Sequence, residues 1–162
     1  SLPHGVPGDT VVKEGSFVLM DYGATYDGYH SDMTRTVCVG KPTEKMEQVY
    51  NIVLEAQLKG IAAVKEGIKG KELDKVSRDI IKDAGYGELF GHSLGHGVGM
   101  EIHEAPNASY LSEHVFKENM IITVEPGIYI PDEFGVRIED FVIVKKDGCV
   151  NMTLAEKSLI TL

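Results

Sequence analysis

Acids set in runs that otherwise read as buried strands constrain this chain more than any other feature. Asp21 closes the run Phe17-Val18-Leu19-Met20, Glu125 follows Ile121-Ile122-Thr123-Val124, and Glu139 sits in Val136-Arg137-Ile138-Glu139-Asp140-Phe141-Val142. An ionised carboxylate in such a place costs roughly several kcal/mol unless something positive neutralises it. Nearby cations are too few to serve all of these acids. Asp32, in Ser31-Asp32-Met33-Thr34-Arg35-Thr36, and His96, in Gly95-His96-Gly97-Val98-Gly99, add two more groups of the kind that bind metal. A divalent cation is the simplest neutraliser, and two fit this number of carboxylates better than one.

Strand parity supports a shared site. Alternate side chains of a strand lie on one face. Thr123 and Glu125 therefore share a face, as do Arg137, Glu139 and Phe141, while Val124, Ile138 and Val142 turn the other way into apolar packing. Leu19 and Asp21 share a face, as do His30, Asp32 and Thr34. Asp21 and Asp32 lie on either side of a turn expected at Asp27-Gly28, so two neighbouring strands can aim both carboxylates at one point. Any one of these acids alone reads as a solvated surface group, and Glu139 beside Arg137 reads equally as an ion pair. Together with an imidazole, the oxygen-rich set suits Mn, Co, Fe or Zn, and its hard carboxylates favour Mn.

His92, His96 and His103 occur in a Gly-rich stretch. On a helix His92 and His96 would align, but no His-Glu-x-x-His pattern is present and the glycines at 91, 95, 97 and 99 oppose helix. Those glycines instead permit close backbone approach to a ligand. The Gly-x-Gly-x-Gly run lacks the lysine and following helix of a phosphate-binding loop. A formal net charge of −9 argues against nucleic-acid binding, which needs a basic patch.

The 162 residues are enough for one domain with a sizeable core. Residues 1–15 read as loop, 17–21 as a strand and 24–39 as a second extended stretch. Thr43 is the candidate N-cap of a helix to about residue 65, and a second helix is expected from 71 to about 84 with Gly85 as its stop. Residues 87–112 read as largely irregular, 120–130 and 136–144 as two strands, 145–148 as a turn and 158–162 as a short closing strand. The class is α+β. Cys38 and Cys149 read as free thiols of a reducing cytoplasm, because a chain of this size needs no staple. No apolar run approaches the roughly 20 residues of a membrane span, and no secretory signal is visible.

These frames, with Glu101-Ile102-His103-Glu104-Ala105-Pro106 and Val124-Glu125-Pro126-Gly127-Ile128-Tyr129, resemble the metallopeptidases of the pita-bread fold. The likeness is to their proline-specific branch, the Xaa-Pro dipeptidases (prolidases) and Xaa-Pro aminopeptidases. Methionine aminopeptidases share the five ligands but usually differ after the second Asp, where this chain has Thr34-Arg35-Thr36. The resemblance implies that Asp21 chelates one metal, that Asp32 and Glu139 bridge a pair, and that His96 and Glu125 complete the second metal. It implies Glu125 as proton shuttle, His103 against the scissile peptide, His92 as a further active-site histidine, and His4 near the substrate. Tyr129 and Arg137 would lie behind the ligands or on the substrate side. The implied substrate is a small peptide with proline second, and the implied state a homodimer of the full-length protein. Residues 1–162 would form the catalytic domain without its first segment and without a preceding N-terminal domain. Two alternatives stand beside this reading: a methionine-type aminopeptidase of the same fold, and a non-catalytic peptide- or protein-binding relative.

Overall fold

The computed structural model describes residues 2–6 and 8–162. Strand β1 (Ser16–Tyr22) runs antiparallel to β4 (Met33–Val39), with Asp21 opposite Thr34. Between them β2 (Thr25–Tyr26) and β3 (Tyr29–His30) form a hairpin. Its two turn residues, Asp27 and Gly28, have φ of 50° and 81°, the left-handed pair that a tight two-residue hairpin turn requires. The expected turn is therefore in place.

Helix α1 (Glu44–Ala63) follows, capped by Thr43, whose hydroxyl accepts the Met46 N–H at 3.3 Å. Helix α2 (Gly70–Asp83) ends at Gly85, whose φ of 90° is the left-handed conformation that stops a helix. Both helices lie within two residues of their expected bounds. They pack on each other, and α1 lies against the sheet strands. The core between them holds Val49, Val53, Leu73, Ile81, Leu94 and Ile122, all without exposed surface.

The main sheet has five antiparallel strands in the order β11-β10-β7-β5-β6. These are β5 (Gly95–Gly97), β6 (Glu104–Ala108), β7 (Ile121–Val124), β10 (Asp140–Lys145) and β11 (Gly148–Asn151). A separate ribbon pairs β8 (Gly127–Ile130) with β9 (Phe134–Arg137). Val124, Ile138 and Val142 are fully buried, as parity predicts.

Four expectations need correction. The stretches 120–130 and 136–144 are not single strands: the first leaves the main sheet for the β8–β9 ribbon at Glu125-Pro126, and the second leaves the ribbon for the main sheet at Ile138-Glu139. The Glu125 N–H turns to Leu94 O at 2.8 Å and the Glu139 N–H to Thr34 O at 3.1 Å, so neither stays in a straight ladder. Residues 87–112 are less irregular than expected, since they contain a 3₁₀ turn (Gly87–Leu89), β5 and β6. The residues after the 145–148 turn form β11, while 158–162 contribute only an isolated bridge of Thr161 to Cys38.

Gly95 marks where backbones come closest. A Cβ built there would lie 2.0 Å from Thr123 O, so only glycine fits. Both cysteines are free thiols, and among the described residues no helix is long and apolar enough to cross a membrane.

Candidate metal centre

The strand breaks place the ligand candidates. Asp32 lies just before β4 and is 7% exposed; Glu139 lies between β9 and β10 and is 2% exposed. His96 projects from β5, and Glu125 from the end of β7. One ligand atom each from Asp32, His96 and Glu139 lie within 4.8 Å of one another. His96 Nε2 is 3.3 Å from Glu125 Oε1 and 3.7 Å from Asp32 Oδ2.

Hydrogen bonds orient this group. His96 Nδ1 stands 3.0 Å from Gly97 O. A carbonyl can only accept, so Nδ1 carries the proton and Nε2 turns its lone pair toward the carboxylates. Thr34 Oγ1 donates to Glu139 Oε2 at 2.6 Å, and Thr123 Oγ1 donates to Glu125 Oε1 at 3.1 Å.

Charge is the unsolved problem of the site. Burial, together with Asp21, raises the Asp32 pKa from 3.8 to about 6. Burial raises Glu125 from 4.5 to about 8, with Asp32 and Asp21 adding to the effect, and pushes Glu139 well up, with Glu125 and Asp32 adding to it. Burial lowers the His96 pKa and keeps its ring neutral. Three crowded carboxyls that resist ionisation beside a neutral imidazole lone pair fit a divalent cation in chemistry and spacing.

Arg137 supplies the nearest fixed positive charge. It is 3% exposed and donates to Asp21 Oδ2 at 2.5 Å, Tyr129 Oη at 3.0 Å, Thr34 Oγ1 at 3.0 Å and Pro3 O at 2.9 Å. Asp21 thus stands beside the trio in a guanidinium pair, with its side chain 47% exposed. His92 Nδ1 faces Ser93 O at 2.8 Å and Nε2 faces Tyr129 Oη at 2.9 Å. By the same carbonyl argument Nδ1 donates, so Tyr129 donates to Nε2 while it accepts from Arg137. Burial lowers the His92 pKa to about 4, which keeps that ring neutral too. Both of its nitrogens are occupied by protein groups. The His103 ring centroid lies 4.3 Å from that of His96. His4, His92, His96, His103, Glu125 and Arg137 line one cavity of about 260 Å³.

Sequence reading gave Thr34, Thr123 and Arg35 no part in the site. The shared faces of Asp32 with Thr34 and of Thr123 with Glu125 were the available signal. Arg35 left no such trace: its guanidinium donates to Glu139 O, Thr34 O and Asp140 Oδ1 at 2.8, 2.9 and 2.7 Å.

Fold and site together define a pita-bread metallopeptidase architecture. Residues 1–146 match metallopeptidase family M24, and the chain belongs to that family. It is 52% identical over 160 residues to an Xaa-Pro dipeptidase of Pyrococcus horikoshii, covering 99% of this chain and 46% of that protein. Among solved structures, an Xaa-Pro dipeptidase from Bacillus anthracis superposes with a TM-score of 0.98 at 53% identity, over 99% of this chain and 45% of that one. An X-Pro aminopeptidase from Thermotoga maritima gives 0.96 at 46% identity, over 99% and 45%. The chain spans about half the length of the curated relatives it matches.

Proposed function

We propose that this chain carries the metal centre of a peptidase that hydrolyses the bond between an N-terminal residue and a following proline. The carrying observation is the convergence of Asp32, His96 and Glu139 within 4.8 Å, with Glu125 beside them, in an M24 chain. Relatives named Xaa-Pro dipeptidase support the substrate class.

Asp32, His96, Glu125 and Glu139, joined by Asp21, would hold two divalent ions, Mn²⁺ on the hardness of the ligands, with Co²⁺, Zn²⁺ and Fe²⁺ as alternatives. Bound ions supply Lewis acidity and an activated water. The protein does the rest. Glu125, hydrogen-bonded to Thr123, would take a proton from the water whose oxygen bonds to the scissile carbonyl carbon, and would deliver it to the proline nitrogen as the C–N bond breaks. His103, next to His96 and on the cavity wall, contacts the scissile peptide. His4 borders the substrate, and Pro3 O, held by Arg137, fixes that segment. Tyr129 and His92 keep the Arg137 fork aimed at Asp21. Proline has no N–H for an ordinary protease to bind, so a site built around the amino end suits it.

The enzyme is read as a cytoplasmic homodimer. Metal analysis combined with Gly-Pro, Gly-Pro-x and Met-Ala cleavage tests the proposal. Two ions per chain with Gly-Pro turnover is the expected result. Turnover of Met-Ala alone favours a methionine-type enzyme, and the absence of stoichiometric metal favours a non-catalytic binder. Sedimentation tests the dimer.

A further inference from the structure

His92 sits on residues 90–94, a stretch without helix or strand between the 3₁₀ turn and β5. Helix α2 holds that stretch with an ion pair. Asp74, fully buried, accepts from Arg78 Nε at 2.6 Å and from Nη2 at 2.9 Å. The same guanidinium reaches out of the helix: Nη1 donates to Phe90 O and Nη2 to His92 O, both at 2.8 Å. Asp74 Oδ1 also accepts the Leu94 N–H at 3.1 Å. Backbone groups of residues 90, 92 and 94 are thereby pinned in turn.

Aromatic contacts fix the pair from the sides. The guanidinium carbon lies 4.2 Å from the Phe90 ring centroid and 5.6 Å from that of Tyr110. Phe90 meets the His92 ring edge-on at 5.0 Å. A pair that only strengthened the helix would not direct its remaining donors to two carbonyls outside it. Lysine could replace the charge but not this planar fork of donors.

We propose that the Asp74–Arg78 pair is a positioning device for His92. Through the hydrogen bond of His92 to Tyr129, it sets the aim of Arg137 on Asp21, some distance from the pair itself. The kinetic consequence rests on the Xaa-Pro hydrolase reading; the structural consequence does not.

The test uses the metal-loaded protein with Arg78→Met and Arg78→Lys, each alone and combined with His92→Ala. Gly-Pro kinetics are measured together with ¹⁵N NMR of the histidine rings in the diamagnetic Zn²⁺-loaded protein, which reads the protonated nitrogen of His92. Both single Arg78 variants are expected to lower kcat about 10- to 30-fold with metal content retained. Both should weaken the Nδ1–H signature of His92, and adding either change to His92→Ala should cost about twofold or less. Full rescue by lysine with the His92 signature intact would overturn the proposal, as would an Arg78→Met loss that multiplies that of His92→Ala. Should Arg78→Met not fold, Asp74→Asn, which keeps an acceptor for Leu94, must shift the same signature; an unchanged signature overturns the proposal. If the unmodified protein cleaves no Xaa-Pro peptide, the functional reading fails, while the NMR result still decides the positioning role.

Discussion

Thr34 and Glu139, 105 residues apart in sequence, meet in the core, where Thr34 Oγ1 donates to Glu139 Oε2 at 2.6 Å. The same hydroxyl accepts from Arg137 Nε at 3.0 Å. One threonine therefore joins the guanidinium that pairs with Asp21 to the most deeply buried acid of the cluster.

Replacing Thr34 by valine keeps the shape and removes both hydrogen bonds. Leaving Arg137 Nε without its acceptor is expected to cost about 1–3 kcal/mol. Divalent-metal affinity should fall on the order of tenfold as Glu139 loses its orientation. Titration calorimetry and thermal melting read the two effects, and Thr34→Ser should restore most of both.

The metal-free protein should become less stable as pH rises. A carboxyl whose folded pKa lies above its unfolded value stabilises the fold fully below the unfolded value, and that contribution is lost as pH rises through the folded one. Glu125 goes from 4.5 to about 8 and Asp32 from 3.8 to about 6, both raised chiefly by burial. The loss therefore runs from about pH 4 to pH 8 and amounts to a few kcal/mol, on the order expected from such shifts. Urea unfolding of chelated protein across that range measures it. Added Mn²⁺ should flatten the dependence, because a cation replaces the protons.

Gly95→Ala should disable the fold locally. The added methyl would meet Thr123 O at 2.0 Å, and the backbone there carries both His96 and Thr123, which donates to Glu125. Overpacking of this kind costs about 1–3 kcal/mol or more. A lowered melting temperature together with lost metal binding is the expected outcome, read by calorimetry.

Arg35→Met removes the donor to Glu139 O and leaves buried Asp140 with Lys157 and Asn151 as its partners. Burial alone would raise the Asp140 pKa, but hydrogen bonds from Lys157, Asn151 and Arg35 outweigh it and hold the pKa low. Breaking one arm of a buried ion pair costs about 3–5 kcal/mol. A depressed carboxyl pKa gives stability that is lost on acidification, so the variant should also show a weaker loss of stability from pH 5 to pH 3 than the parent. Acid titration followed by circular dichroism checks both.

Much of this arrangement was legible in the sequence. Thr43 and Gly85 bound their helices through local chemistry, and Asp27-Gly28 makes a tight turn whatever its surroundings. The apolar alternation around Glu139 and Val142 gives the inward face directly. The strand breaks were not legible, because β-rich residues continue on both sides of Glu125-Pro126 and of Ile138-Glu139. Only the tertiary acceptors Leu94 O and Thr34 O turn those N–H groups aside. The pairing of Asp21 with Arg137 is equally non-local, and the i,i+4 spacing of Asp74 and Arg78 carries no sign of contacts outside their helix. What Arg78 does beyond its helix depends on where residues 90–94 fold.

Glu125 and Glu139 each stand where the chain passes between the main sheet and the β8–β9 ribbon. The centre is thus a hinge-point of the architecture rather than an ornament upon it. Its dimensions are inherited from the way two sheets share their chain segments, so a shift of one acid disturbs the junction that carries the other.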